Sequence, residues 1–407
     1  MMISKALVSG LILLLATSLS QSSNAADSAT SKAEPSKKVI AVRKPIVGAN
    51  PADYLDRVNL PAGFKIEMYA SDVPGARSMS LGDNGTIFVG TRGKRGSAGN
   101  KGAVYAVLNP DQDTVADEVV VVARDLFMPN GVAYRDGSLY VGEPNRVLRY
   151  DGADGDLNKL SKPVVVNDSY PSDAHHGWKY MKFGPDGRLY LPVGAPCNIC
   201  ESSDEYAVIT SIKADGSDKQ TIARGIRNTV GYDWHPETGE LWFTDNSRDL
   251  WGDNTPPDEL NRISEPMQHF GYPYVYGKDL RDDEFKAPDI EFTPAAVELA
   301  PHTAPLGMKF YTGDMFPDEY KNQILIPHHG SWNRSVPDGY YLSLVRLVNG
   351  EPQTAEIFAD GWLIGEENWG RPVDILQLPD GSILVSDDQA NCIYRISYEA
   401  PKNVTKQ

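Results

Sequence analysis

The chain has 407 residues, 55 acidic side chains against 39 basic ones, and a formal net charge of −16. No basic stripe is available to neutralise phosphates, so nucleic-acid binding is excluded. An acidic balance of this size suits a soluble exported protein and would complement a basic protein partner.

Lys5 supplies a positive n-region, Ala6 to Leu19 an apolar h-region, and Ser23-Asn24-Ala25 a small-x-small cleavage site. Residues 1–26 therefore read as a signal peptide, and the location expected is periplasmic or secreted. The apolar run is shorter than the ~20 residues that a span requires, and no later segment could cross a membrane. Residues 27–57, rich in Ser, Ala, Lys and Pro and without periodicity, read as a flexible leader.

From residue 58 to 400 one unit recurs: an apolar strand, a Gly or Asn turn, and a second strand. The turns fall at Gly85, Gly137, Gly187, Gly239, near Asn322, and at Gly381, at intervals of 52, 50, 52, 83 and 59 residues. Asp-Gly and Asn-Gly between alternating strands mark hairpins. Third strands follow (GAVYAVL, RVLRY, AVITSI, ELNRIS, YYLSLVRL, CIYRISY). Fourth strands follow five of them (EVVVVAR, PVVVND, KQTIAR, AAVELA, AEIFAD). The sixth unit lacks its fourth strand, and FKIEMYA at 64–70 can supply it. The expected fold is all-β: a six-bladed β-propeller of four-stranded blades, its ring closed by an N-terminal strand, with 401–407 left as a tail.

In such blades the first-to-second turns are short and chemically bland. The opposite face receives the crossings between units, which carry Arg77, Asn130, His175-His176, Arg227-Asn228, His302-Thr303 and Arg371. It also receives the second-to-third loops, with Lys94-Arg95, Glu143, Cys197/Cys200, Asn246 to Glu259, His328 to Arg334 and Asp387-Asp388. Arg77, Arg227, Arg334 and Arg371 converging on one channel mouth predict a small, planar, polyanionic ligand, because guanidinium forks grip carboxylates bidentately. Trp332 offers a stacking face. His176 is the leading general base, with His175 as its rival. Asp245, Asn246, Asp249, Asp253, Asp258 and Glu259 form an oxygen-rich loop suited to Ca²⁺. Cys197 and Cys200 are expected to form a local disulfide, and Cys392 to be a small buried residue.

Several segments together carry a resemblance. They are HHGWKYMKFGPDGRLYLPVG, RGIRNTVGYDWHPETGELWFTD, PPDELNRI followed by FGYP, LGMKFYTG, and GRPVDILQLPDGSILV. The chain resembles the glucose/sorbosone dehydrogenase family of soluble quinoproteins, more closely its sorbosone-dehydrogenase-like branch. The resemblance implies a propeller that binds pyrroloquinoline quinone (PQQ) and Ca²⁺ at the channel mouth and oxidises the aldehyde or hemiacetal carbon of a sugar. It places His176 at the catalytic base, Arg227 and Asn228 at the quinone oxygens, and Arg371 at a cofactor-binding arginine. Arg77 reaches the same site, and Arg334 lies in a loop that often carries a cationic cofactor contact. Carbonyls near Ser247 and Arg248 would ligate calcium, and Asp258 and Glu259 match acidic residues at calcium sites. The second arginine of the family's R-x-R pattern is Val373 here, and the calcium loop is longer.

The resemblance thus implies hydride transfer from a small sugar or aldehyde to PQQ, with electrons leaving to an external acceptor such as a separate cytochrome c or a quinone. No C-x-x-C-H is present, so any cytochrome is another chain; no GxGxxG opens a βαβ unit, which argues against nicotinamide. The alternatives are a Ca²⁺-dependent propeller lactonase and a non-catalytic propeller binding protein.

Overall fold

The computed structural model describes residues 44–93, 101–111 and 113–401. The signal peptide, the leader as far as residue 43, Lys94-Arg95 and the tail after 401 lie outside the described residues. None of the helices described is long and apolar enough to cross a membrane.

The described residues form six four-stranded antiparallel sheets. The first comprises Ala76–Leu81, Ile87–Thr91, Lys101–Leu108 and Glu118–Phe127. The second comprises Gly131–Arg135, Ser138–Glu143, Arg146–Asp151 and Val164–Asn167. Lys182–Phe183, Leu189–Val193, Val208–Ile212 and Gln220–Arg224 make the third. Tyr232–Trp234, Leu241–Asp245, Asp258–Ile263 and Val297–Leu299 make the fourth. The fifth has Lys309–Phe310, Ile324–His328, Tyr341–Val345 and Glu356–Ala359. The sixth takes Pro372–Gln377, Ile383–Asp387 and Cys392–Tyr398 from the end of the chain. Its fourth strand is Phe64–Ala70, which pairs antiparallel with Cys392–Tyr398 from Phe64 opposite Tyr398 to Ala70 opposite Ile393.

These strands are apolar on both faces because each sheet is buried on both faces. Side chains alternate across a strand, so Ile87 and Val89 point one way and Phe88 the other. Ile87 and Val89 join Leu384 and Ile393 of the sixth sheet, whereas Phe88 joins Val132, Leu139 and Val141 of the second. The same partition recurs in the third sheet. Leu189, Leu191 and Val208 pack with Tyr140 of the second sheet, while Ile209 packs with Tyr232 and Phe243 of the fourth. Trp242 and Leu260 meet Phe310 and Ile326 of the fifth. Phe64, Leu325, Leu342 and Val385 fill the space between the fifth and sixth. Each neighbouring pair of sheets thus shares its own apolar layer.

The leader differs from expectation. Lys44–Pro45 pairs in parallel with Glu367–Asn368, and Pro51–Arg57 forms a 3-10 helix capped by Asn50. Tyr54 stacks on Trp369 at 5.5 Å. Composition suggested a solvated tail through residue 57, but a strand pairing and one aromatic stack tie its last part to the body.

On the first strands of the third, fourth and fifth sheets, Asp233 is buried between Lys182 and Lys309, accepting from Lys309 Nζ at 2.8 Å. Burial alone would raise its pKa, but the two ammonium groups outweigh it and hold it at about 2. The folded carboxyl is therefore more acidic than in the unfolded chain. Its contribution is complete above about pH 4 and is lost as pH falls toward 2. Asp233→Ala, which strands two partly buried cations, is expected to lower stability by about 3 kcal/mol. Urea unfolding at pH 7 checks this; at pH 2 the difference from wild type should largely vanish.

Candidate active site

One cavity of about 480 Å³ collects side chains from the crossings and loops at one end of the sheets. Arg77, His176, Arg227, Asn228, Trp332 and Arg371 all line it, as do Ser247 and Asp258. Arg248, Glu259 and Arg334 do not.

His176 follows the fourth strand of the second sheet and precedes Trp178. Its backbone sits at φ 49°, a left-handed conformation that costs energy in any residue with a Cβ. Gly194 makes room for it: a Cβ there would lie 2.6 Å from His176 Cβ and 3.0 Å from its carbonyl oxygen. Nδ1 lies 2.9 Å from Ala195 O. A neutral ring must donate through Nδ1, which leaves the Nε2 lone pair as the acceptor. Burial first, then the charge of Arg227 and neighbouring His175, push its pKa well below the ordinary range. The ring retains an open edge while protein packs densely around it, so it is a neutral base at pH 7. His175 lies against it with ring centroids 4.1 Å apart and the planes tilted by 55°, and is exposed.

Arg227 is buried and heavily engaged. Nε donates to Asn198 O (2.9 Å), Nη1 to Asn246 O (2.8 Å), and Nη2 to Asn198 Oδ1 (2.8 Å) and Asp249 Oδ2 (2.9 Å). Its backbone N–H and that of Asn228 both donate to Asp245. The guanidinium is thus a fixed positive charge more than an open fork. Asn198 sits between the two cysteines of the Cys197–Cys200 disulfide, which is present as expected. Tyr272 Oη accepts from Cys200 N at 3.1 Å. A short covalent loop therefore sets the direction of Arg227.

The opposite wall is built on Asp388. It accepts from Arg77 Nη1 (3.0 Å), Arg92 Nη1 (3.2 Å) and His329 Nε2 (2.7 Å). Burial works against this carboxylate, but His329, Arg92 and Arg77 outweigh it and hold its pKa well below the usual range. Arg77 also lies over the Trp178 ring at 5.2 Å. Arg371 donates to His329 O and Gly330 O at 2.7 and 2.6 Å. Val373, which replaces an arginine of the R-x-R pattern, packs with Val230 and Leu306 to form an apolar floor.

The acidic loop divides. Asp258 faces the cavity and accepts from Ser247 N and Ala304 N, both at 3.0 Å. Burial pushes its carboxyl up to about 7 against those hydrogen bonds. Glu259 points to the other face of the strand, where it accepts from Gly277 N and Asn261 Nδ2. Neighbours in a strand cannot share a face, so only one of the expected pair reaches the site. Burial raises the pKa of Asp245, and burial followed by repulsion from Asp245 opposite it raises that of Glu259. The Arg248 side chain turns away to Asp282 and Glu284. Arg334 is a brace rather than a wall, bonding Asp253 O and Pro301 O. Among the described residues no group of three or more His, Cys, Asp or Glu side chains is placed to hold a metal. A hard cation would rely on Asp258 and the oxygens of the 246–249 loop.

Sequence reasoning missed Arg92 and Asn198. Arg92 directly follows the second strand of the first sheet, just ahead of Lys94-Arg95, which drew attention instead. Asn198 lay inside the CxxC, where the cysteines masked it.

The family model described as "Domain of unknown function (DUF7133)" matches residues 50–406. A protein of Borreliella burgdorferi (strain ATCC 35210 / DSM 4680 / CIP 102532 / B31), described as "Uncharacterized protein", is 35% identical over 361 residues, covering 84% of this chain and 91% of that one. Among solved structures, the "Calcium structure of Trichoderma reesei Carbohydrate-Active Enzymes Family AA12" aligns with a TM-score of 0.71 at 18% identity, covering 84% of this chain and 97% of that chain. The "Holo form of Pyranose Dehydrogenase PQQ domain from Coprinopsis cinerea" aligns with a TM-score of 0.67 at 19% identity, covering 84% and 97%. The PQQ-bound aldose sugar dehydrogenase of Streptomyces coelicolor gives 0.60 at 17% identity, covering 84% and 100%. At such identities the likeness is one of fold. By the extent of the family match and of its curated relative, the chain belongs to the DUF7133 family.

Proposed function

We propose that this chain is an exported quinoprotein dehydrogenase that oxidises the aldehyde or hemiacetal carbon of a sugar-like substrate, an aldose or a sorbosone-like aldehyde. The six sheets are read as blades of a closed ring, with Phe64–Ala70 as the clasp. The observation that carries the reading is the pairing, in one cavity, of a neutral His176 base with the fixed cation Arg227. The solved structures of PQQ-dependent sugar enzymes with the same fold support it.

The residues present fit PQQ and Ca²⁺. PQQ is a planar tricarboxylate, and Arg77, Arg227 and Arg371 line a cavity of suitable size. Burial disfavours the ionised form of Asp258, and a divalent cation beside it would restore that form. When bound, PQQ would supply an ortho-quinone that accepts two electrons as a hydride. The chain's own part is then specific. His176 Nε2 removes the substrate hydroxyl proton, and Ala195 O fixes the ring for that task. Arg227 and Asn228 orient the cofactor edge, and the held guanidinium favours developing negative charge. Trp332, 39% exposed at the rim, offers a face to a planar ring and limits water entry. Electrons pass to a separate acceptor.

The test is to purify the protein, add PQQ and Ca²⁺, and follow quinone absorbance together with sugar-dependent dye reduction. Absorbance and reduction are expected. Failure to take up quinone would sink the reading, and lactone hydrolysis without PQQ would replace it.

A further expected result concerns the disulfide loop. Asn198→Ala removes the Oδ1 acceptor shared by Arg227 and the Asp249 N–H. Turnover should fall about tenfold, the worth of a charge-assisted hydrogen bond, while the melting temperature moves by only a few degrees. Unaltered turnover would show that Arg227 needs no such support.

A further inference from the structure

The cavity holds more positive charge than the assigned roles use, and the surplus has a location. Arg92 was not among the residues matched to cofactor binding, yet its side chain lines the cavity and is 23% exposed. Nη1 is braced on Asp388. The remaining guanidinium N–H groups of Arg92 have no acceptor among the described residues. Arg77 stands beside it on the same carboxylate, also tied through Nε to Asn130 Oδ1 at 2.5 Å. Two guanidinium groups thus share one carboxylate, which His329 Nε2 also meets at 2.7 Å. Among the described residues, Arg77 and Arg92 outnumber Asp388 on this wall of an otherwise acidic protein.

This wall is linked to the base through Trp178. Trp178, two residues beyond His176, donates from Nε1 to Arg92 O at 3.3 Å and carries Arg77 over its ring. Arg227, Asn228 and Asp258 come instead from the third-to-fourth crossing and from the fourth sheet. A cofactor oriented by that second group leaves Arg92, Arg77 and His176 facing the substrate.

We infer that the substrate carries a carboxylate, as in a uronic acid, and that Arg92, supported by Arg77 and Asp388, binds it while His176 acts at the anomeric carbon. This rests on the function proposed above. A planar carboxylate matches an Arg fork bidentately. The oxidation leaves the carboxylate untouched. The anomeric O–H loses its proton to His176, the C–H leaves with two electrons to the quinone, and the lactol becomes a lactone. A cationic mouth on an acidic chain would also draw anionic substrates inward.

The experiment measures kcat/KM for galacturonate, galactose and galactose 6-phosphate with PQQ-loaded protein, and galacturonate binding by calorimetry with and without PQQ. Galacturonate is expected to exceed galactose about tenfold or more. Arg92→Gln should reduce the acid-to-neutral ratio about tenfold, the discrimination expected of one charge-assisted pair, and should leave quinone absorbance in place. Equal use of acid and neutral sugars, with a ratio that Arg92→Gln does not change, overturns the inference. So does a preference for the phosphate, or loss of quinone uptake in Arg92→Gln, which would give Arg92 to the cofactor. Quinone uptake by the wild type is read separately, so a chain that takes no PQQ defeats the proposed function, while galacturonate binding that Arg92→Gln weakens would still uphold the carboxylate site.

Discussion

His176→Ala is expected to lower kcat by about 10²- to 10⁴-fold, the contribution of a positioned general base, with quinone absorbance unchanged. The expectation follows from the ring's tautomer and its neutrality. Nδ1 is engaged by Ala195 O, and burial, Arg227 and His175 keep the imidazole unprotonated. The pH profile supplies a second reading. The base is active when neutral, so kcat/KM should rise through an acid limb lying below the ordinary histidine value of about 6.5 and be level at pH 7. That limb should vanish in His176→Ala. His175, exposed and lying against its neighbour, should tolerate alanine with a change of only a few fold. A large loss in His175→Ala with full turnover in His176→Ala would reverse the assignment.

Arg227→Met should weaken PQQ binding and lower kcat by about 10²- to 10³-fold, as expected when a preorganised charge is removed from the reacting edge. It should also move the acid limb upward. The Arg227 charge helps to hold the His176 pKa low, so without it the imidazolium becomes less unfavourable and a higher pH is needed to empty it. Arg227→Lys separates charge from geometry. An ammonium cannot span Asn198 O, Asn198 Oδ1, Asp249 and Asn246 O together. The limb should stay near its wild-type position while kcat still falls. A limb that shifts equally in both variants would mean that packing, not charge, sets the base.

The hairpins were legible in the sequence because two periodicities coincide there. Continuous apolar runs around Gly85, Gly137, Gly187, Gly239 and Gly381 can be satisfied only by strands buried on both faces, and the six sheets follow them. The convergence of Arg77, His176, Arg227 and Arg371 was legible for the same reason, since strand order sends every crossing to one end. Side-chain direction was not. Arg334 sits in the expected loop yet points into the 253–254 backbone, and a loop has no period from which to read this. Asp258 and Glu259 could have been separated, because strand alternation forbids both from entering the cavity. Arg92 and Asn198 act through partners about 300 and 30 residues away in sequence, and no local pattern announces such pairings. The packing of Lys44 to Arg57 was hidden for another reason: composition reports solubility, not whether Tyr54 finds a tryptophan.

Among the described residues, Phe64–Ala70 pairs only with Cys392–Tyr398. A strand made early therefore waits for one made more than 300 residues later. Until then its apolar residues and unpaired backbone form an open edge, the kind of template on which chains join one another. Pairing at such a separation is also a late and slow event. A premature stop at residue 391 would therefore do more than delete one strand. It would leave Phe64, Tyr69 and Ala70 without cover, and such a chain should be recovered as aggregate, not as a slightly shorter soluble protein.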